Sequence, residues 1–311
     1  MKILVTGGSG LIGRYCLAQL AARGHEVHAI STIRRDTTEV TWHQANILNP
    51  LQIKPVLREL KPTHLLHLAW ETRHGLYWTS KTNIEWSQAS LALAEEFVRN
   101  GGKRLVVAGT CAEYQWSNVP STTLSENFPT MPGSFYGQCK NSLQQTLSSR
   151  APSATLSMAW GRIFSLYGPG EDPRRLVASV ISALLQNRLA TCNQADLIRD
   201  YCHAADVASA FVSLIENNLE GPINIGSGQA HSLGEVVNTI ASKLDATHLV
   251  ELNEANAMIS KDPVSLLPNI NRLTEGGWRP KFTLNTGLDD AIAWWRKHLD
   301  QTPTPLSPIS P

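Results

Sequence analysis

Tyr136-Gly-Gln-Cys-Lys140 sets a phenol and an ammonium four residues apart, which puts both on one face of a helix. An ammonium so placed lowers a phenol's pKa from about 10, so that it can exchange a proton near neutrality. A second cluster, Gly7-Gly8-Ser9-Gly10-Leu11-Ile12-Gly13, follows the apolar, β-branched stretch Lys2–Thr6 and opens a helical pattern over Leu11–Arg23. In that pattern Leu11, Ile12, Leu17 and Leu20 face inward. A strand, a glycine turn and a helix N-terminus make a cradle for a pyrophosphate. The spacing Gly7-x-x-Gly10-x-x-Gly13 is looser than G-x-G-x-x-G, and its position on the first strand gives it weight. A dinucleotide at one end and a proton-exchanging tyrosine at the other imply hydride transfer between a carbonyl and an alcohol.

The elements that must position these groups alternate. Strands are expected at Lys2–Thr6, Glu26–Ile30, Val40–Gln44, His64–Leu68, Arg104–Ala108 and Thr155–Trp160. Helices fall between them at Leu11–Arg23, Leu51–Leu60, about Ser80–Asn100 and Ser134–Ser149. This alternation predicts an α/β fold with a doubly wound parallel sheet of Rossmann type. From Ser165 the rhythm breaks. Tyr167-Gly-Pro-Gly170 is a turn cluster, Arg174–Gln186 and Val207–Ile215 read as helices, Leu197–His203 as extended, and further helices lie near Ser232–Leu244 and Leu288–His298. The expected division is a dinucleotide-binding domain of residues 1–165 and 196–226 with a smaller substrate lobe of 166–195 and 227–300. The proline-punctuated, uncharged tail 301–311 is expected to be disordered.

With 311 residues, 42% hydrophobic and 17% charged, the chain has the composition of an ordinary globular protein. A net charge of +1 provides no basic field for nucleic acid and no polybasic stripe for a membrane. No apolar run approaches 18 residues and no signal-peptide pattern opens the chain. Five cysteines without paired spacing suggest neither disulfides nor a zinc site. A reduced, cytoplasmic setting and no metal are expected.

The end of the second strand bears on which dinucleotide binds. A carboxylate there holds the ribose 2′-hydroxyl of NAD. Here Ser31-Thr32-Ile33-Arg34-Arg35 follows, with no acid before Asp36. Hydroxyls and two guanidiniums suit a 2′-phosphate. NADP is the expected cofactor, with NAD as the alternative, and a solvated loop is the plainer account of Arg34 and Arg35. Trp70, Tyr77, Trp78 and Trp86 make the stretch after the fourth strand unusually aromatic. Tyr77 and Trp78 either line a sugar pocket or pack the core; Trp86 reads as core.

Together these motifs resemble the extended short-chain dehydrogenase/reductase family, in its nucleotide-sugar epimerase, dehydratase and reductase branch. His67-Leu-Ala-Trp70 is similar to the branch's HLAA, Ala108-Gly-Thr-Cys-Ala-Glu-Tyr114 stands where it has SSxxVY, and Arg162–Gly170 resembles RxxNxYGPG. Arg199-Asp-Tyr-Cys-His-Ala-Ala-Asp206 resembles RDFVHVDD, Gly221–Gly228 resembles GxxxNIGSG, and Gly277-Trp-Arg-Pro280 resembles GWxP. The resemblance implies Thr110, Tyr136 and Lys140 as the catalytic set, with Lys140 also on the nicotinamide ribose. It implies a cofactor site formed by Gly7, Gly10, Leu11, Ile12, Gly13, Ser31, Arg34, Arg35, Asn46, Ile47, Leu68, Ala69, Trp70, Asn83, Tyr136 and Lys140, where Asn83 supports the active-site water or lysine. For a nucleotide-sugar substrate it implies Tyr77, Trp78, Thr110, Ser165, Arg175 and Arg199, the last meeting the diphosphate. His203 and Asp206 read as structural, Asp206 as a capping or dipole-facing acid. A homodimer through the long helix and the Tyr136 helix is the family's common assembly.

Departures narrow the reaction. Dehydratases of the branch carry Asp-Glu just after the triad hydroxyl, where this chain has Cys111 and Ala112. Cys111 also stands one place before the cysteine of the epimerase-reductases, and Gly170 replaces their histidine. Ser165 and Asn46 replace a sugar-contacting asparagine and an adenine-binding acid. Simple hydride chemistry remains. The expected activity is NADPH-dependent reduction of a nucleoside-diphosphate 4-keto-6-deoxyhexose, the alternative a nucleotide-sugar 4-epimerase with retained NAD.

Overall fold

A computed structural model describes residues 1–119, 122–150, 156–254 and 262–299. In the first half, strands β1 (Lys2–Thr6), β2 (Glu26–Ser31), β3 (Thr41–Gln44), β4 (His64–His67), β5 (Arg104–Thr110) and β6 (Ser157–Ile163) interleave with helices. These helices are α1 (Leu11–Ala22), α2 (Pro50–Leu60), α3 (Thr82–Arg99) and α4 (Phe135–Arg150). Then come β7 (Ser165–Tyr167), α5 (Leu176–Leu185), β8 (Ala190–Cys192), β9 (Ile198–Arg199), β10 (Tyr201–His203), α6 (Ala204–Glu216) and β11 (Gly221–Ile225). The remaining elements are β12 (His231–Ser232), α7 (Leu233–Lys243), β13 (Val250–Leu252), β14 (Ser265–Leu266), α8 (Asn271–Glu275) and α9 (Leu284–His298).

Seven strands form one parallel sheet in the order β11-β6-β5-β4-β1-β2-β3. The order reverses between β1 and β4, the switch point at which open α/β sheets bind ligands beyond their strand ends. Central strands this apolar bury both faces. Leu20, Phe211 and Ile215 join Ile3, Val5 and Val106 on the α1/α6 face. Leu57, Leu93, Phe97 and Leu143 join Leu4, Leu65 and Leu105 on the α2/α3/α4 face. A third core gathers α5, α7 and α9 around Ile181, Ile240, Leu288 and Trp295.

The expected elements exist, with shifted ends. β5 continues to Thr110 and β6 to Ile163, because these two strands pair along their whole length. Thr155, expected in β6, lies outside the described residues, as does the tail from 300. α9 starts at Leu284 rather than Leu288, since Thr283 Oγ1 accepts from Thr286 N at 3.2 Å and caps it. Leu11 and Ile12, at the start of α1, are only partly buried, and Ile12 packs against the α1/α6 core. His203 rather than Asp206 caps α6, accepting from Ala205 N, and Asp206 lies in the first turn as the expected dipole-facing acid. The Asp206 carboxylate instead accepts from Lys281 N and Phe282 N and ties the chain before α9 to α6. Among the described residues no helix is long and apolar enough to cross a membrane, all five cysteines are free, and no group of side chains could hold a metal.

Candidate active site

The glycine cradle is built by backbone contact. Gly7 has φ +71°, and a Cβ there would lie 2.7 Å from Ala69 N and 2.9 Å from the Leu68 carbonyl carbon. A Cβ on Gly13 would overlap the Gly7 carbonyl oxygen and stand 2.7 Å from Gly8 Cα. Only glycine lets the β1–α1 turn, the exit of β4 and the first turn of α1 approach so closely. Gly10 caps α1 with no side-chain bond, and no acid lies in the first turn, so the positive end of the helix faces outward toward an anion. These residues fit a dinucleotide's phosphates. At the end of β2, Ser31 Oγ accepts from Ile33 N at 3.3 Å and Arg35 Nε at 3.2 Å. Arg35 lies over the Trp42 ring, and both Arg34 and Arg35 are exposed. Asn46 is exposed and bonds Leu48 N, while Ile47 is buried.

Across the switch point, β5 ends at Thr110 and α4 begins at Phe135, which brings Thr110 and Tyr136 together. The Thr110 hydroxyl stands beside the Tyr136 phenol and favours its charged form. Lys140, one turn on, donates from Nζ to Ala108 O at 2.9 Å and sits 3.7 Å from the Trp70 ring centroid, a cation–π contact. The expectation that Lys140 lowers the phenol's pKa is corrected here. Burial drives the Tyr136 pKa above its ordinary value, Tyr77 and Glu113 push the same way, and the neighbouring Thr110 hydroxyl opposes them. Burial likewise takes Lys140 down to about 7, with the Glu113 charge opposing. Both groups sit among rings, where desolvation outweighs a partner one helical turn away.

Those rings form a wall. Tyr136 meets Tyr77 at 5.0 Å, Trp78 at 5.8 Å and Trp70 at 6.4 Å between centroids, and Trp78 meets Trp116 at 6.2 Å. Tyr77 and Trp78 are therefore both core neighbours of Tyr136 and partly exposed at the site. Trp116, whose Nε1 donates to Cys111 O at 3.0 Å, carries no signal in sequence, because it lies in a loop without periodicity. Asn83 supports Trp70. Its Nδ2 donates to Tyr77 O at 2.7 Å and Ser80 O at 2.9 Å, and its Oδ1 accepts from Trp70 Nε1 at 2.8 Å. It is fully buried, and its side chain ties Trp70 to the chain at Tyr77 and Ser80.

Toward the smaller lobe, Arg175 lies near enough to the Tyr77 phenol to favour its charged form, and Ser165 lies half-buried on β7 beside Tyr201. Arg199 is nearly buried, donating to Ile198 O at 2.8 Å and Pro263 O at 2.9 Å, with Asp262 at 3.6 Å. Cys111 follows Thr110, its thiol pushed up to about 12 by burial, and Ala112 is buried beside it. Glu113 escaped the sequence reading. It is fully buried, and the available signal was an acid where the SSxxVY pattern has valine.

This constellation joins a phosphate cradle on β1 to a hydroxyl, phenol and ammonium at the ends of β5 and α4, on a doubly wound sheet. The chain belongs to the NAD dependent epimerase/dehydratase family, which it matches over residues 3–226. A UDP-glucose 4-epimerase of Corynebacterium glutamicum is 28% identical over 94% of this chain and 95% of its own. UDP-glucuronic acid decarboxylase 1 of Xenopus tropicalis is 25% identical over 96% of this chain and 73% of its own. Among solved structures, the Thermus thermophilus UDP-glucose 4-epimerase in complex with NAD superposes with a TM-score of 0.82 at 27% identity, covering 95% of this chain and 99% of that one.

Proposed function

We propose that this protein is an NADPH-dependent reductase of a nucleoside-diphosphate 4-keto-6-deoxyhexose. One observation carries the reading: Tyr136 stands beside Thr110 and is walled by Tyr77, Trp78 and Trp70, while Cys111 and Ala112 beside it provide no second acid or base. A dehydration needs such a pair within hydrogen-bond reach of the sugar. An epimerase must turn its sugar over between half-reactions, and a wall of rings around the phenol favours one binding face.

The nicotinamide, when bound, supplies the hydride. Thr110 and Tyr136 bind the ketone oxygen, and Tyr136 gives its proton to the alkoxide that forms. A phenol held above its ordinary pKa suits a donor that must stay protonated until that charge develops. Lys140 holds the nicotinamide ribose and balances the phenolate left behind. The lobe of residues 166–195 and 227–300 receives the nucleotide, with Arg199 toward the diphosphate and Arg175 toward the sugar. Arg34 and Arg35 read the 2′-phosphate, with NAD as the alternative. Two chains pair through α3, where Ile84 is 47% exposed, and α4; light scattering at a mass of two chains would support this.

The relatives of Corynebacterium and Thermus favour a second reading, a nucleotide-sugar 4-epimerase. Purified protein is analysed for retained cofactor, then assayed for NADPH oxidation against a panel of nucleotide-linked 4-ketosugars. Turnover of a 4-keto-6-deoxyhexose by cofactor-free protein supports the reductase. Retained NAD with interconversion of 4-epimers and no NADPH oxidation refutes it.

A further inference from the structure

Thr110 is held by a buried acid that hydride chemistry does not require. Glu113 Oε1 accepts from Thr110 N at 2.9 Å, and Thr110 Oγ1 accepts in return from Ala112 N at 3.2 Å, closing the single turn Cys111–Glu113 on itself. Glu113 Oε2 accepts from Arg162 Nε at 2.8 Å, and Trp160 Nε1 donates to the same carboxylate at 2.9 Å. Gly109 admits this arrangement, since a Cβ there would stand 2.8 Å from Glu113 Oε1 and overlap the Trp160 indole. Arg162 in turn lies 4.6 Å from the Tyr114 ring centroid, and its Nη1 donates to Glu126 O.

An ion pair this deep is a poor device for stability alone, because desolvating both charges offsets most of their attraction. Its geometry is directional: three donors fix one carboxylate, and the carboxylate fixes the main chain from which the Thr110 hydroxyl projects. We propose that Glu113 is a positioning residue of the active site, locking Thr110 against Tyr136 and providing the fixed negative charge that Lys140 faces. This rests on the reductase reading for its rate effects, but not for its effect on Lys140.

The groups around the pair are few. Lys140 interacts electrostatically with Glu113 and with His67 of β4. Glu113 also acts on Arg162 and Tyr114, and on Tyr136 and Cys111. Of these, Glu113 is the buried carboxylate that supports the Lys140 charge against burial.

Glu113→Gln keeps the shape and removes the charge. In unliganded protein, ¹³Cε NMR of labelled lysine, assigned with Lys140→Met, should show Lys140 losing its proton about one pH unit lower than in the wild type. With substrate, kcat should fall about tenfold or more while KM for NADPH stays within threefold, since positioning errors act on the transition state. Glu113→Gln leaves the Arg162 cation uncompensated; Glu113→Gln with Arg162→Gln removes both charges and reads the same two quantities. Glu113→Asp, one methylene short, should keep the Lys140 titration and lose kcat. If the glutamine variants do not fold, the aspartate variant decides: wild-type kcat overturns the proposal. An unmoved Lys140 titration in a folded glutamine variant overturns it as well. A wild-type protein that turns over no 4-ketosugar refutes the reductase reading instead, and leaves the Lys140 titration to judge Glu113.

Discussion

Gly137→Ala should separate folding from catalysis. Gly137 follows Tyr136 in the first turn of α4, and a Cβ there would overlap the Ala112 carbonyl oxygen and stand 2.9 Å from Pro132 Cβ. A carbon meets a carbonyl oxygen comfortably at about 3.3–3.6 Å, so α4 must retreat by on the order of 1 Å from the turn that follows Thr110. Such overpacking costs about 1–3 kcal/mol, and alanine returns about 1 kcal/mol of helix propensity over glycine. The net loss of stability is therefore small, about 0–2 kcal/mol. Catalysis has no such offset: separating the Tyr136 phenol from Thr110 by on the order of 1 Å is expected to lower kcat about 100-fold. Lys140 lies one turn further along the same helix, so a smaller loss of NADPH affinity should accompany the loss of kcat. Thermal unfolding, a fluorescence titration with NADPH and steady-state kinetics on a turned-over 4-ketosugar report the three quantities. A variant with kcat within threefold of wild type would refute the view that this contact sets the Thr110–Tyr136 geometry.

Tyr136→Phe, which deletes the proton donor and keeps the ring, should lower kcat by about 10²–10⁴ with NADPH binding intact; retention of more than about a tenth of the rate would remove Tyr136 from its role. Arg34→Ala with Arg35→Ala should weaken NADPH far more than NADH, since a charge-assisted contact contributes roughly 1.5–3 kcal/mol, and equal losses in a binding titration would show that neither arginine reads the 2′-phosphate. Acid sensitivity should trace to His67, buried between Thr6 Oγ1 at 2.6 Å and Ser90 Oγ at 2.8 Å and lowered by burial to about 3. The unfolded chain binds a proton at that histidine below its usual 6.5 and the folded one does not, so its contribution is complete above that pH and is lost as pH falls toward 3. The slope is about 1.4 kcal/mol per pH unit, and His67→Asn should flatten the fall in melting temperature between neutral and mildly acid pH; an unchanged slope assigns it elsewhere. Incubated with a nucleotide-linked hexose and NAD(P), the protein should form no 4-keto-6-deoxy product; formation of one would mean that a group other than Cys111 or Ala112 serves as acid or base.

Local patterns made much of this protein legible from its sequence. Alternating apolar strands and amphipathic helices specify a parallel sheet by periodicity alone, and Gly7, Gly10 and Gly13 mark a turn that needs glycine for reasons of backbone geometry. Tyr136 and Lys140 share a face because helical spacing demands it. What those two groups experience was decided elsewhere. Whether a partner's charge or burial dominates a pKa depends on every group within a few ångströms, and Trp70, Tyr77 and Trp78 arrive there from the β4–α3 connection and Trp160 from β6. Asn83 has the right type for a polar helper, and the tertiary fold sets its side chain among Trp70, Tyr77 and Ser80. Glu113 and Arg162 are 49 residues apart, and their ion pair exists only because β5 and β6 are neighbours in the sheet. Spacing along a chain reports contacts within one element; contacts between elements are set by how the sheet is ordered, and that ordering made Thr110, Tyr136, Lys140 and Glu113 one site.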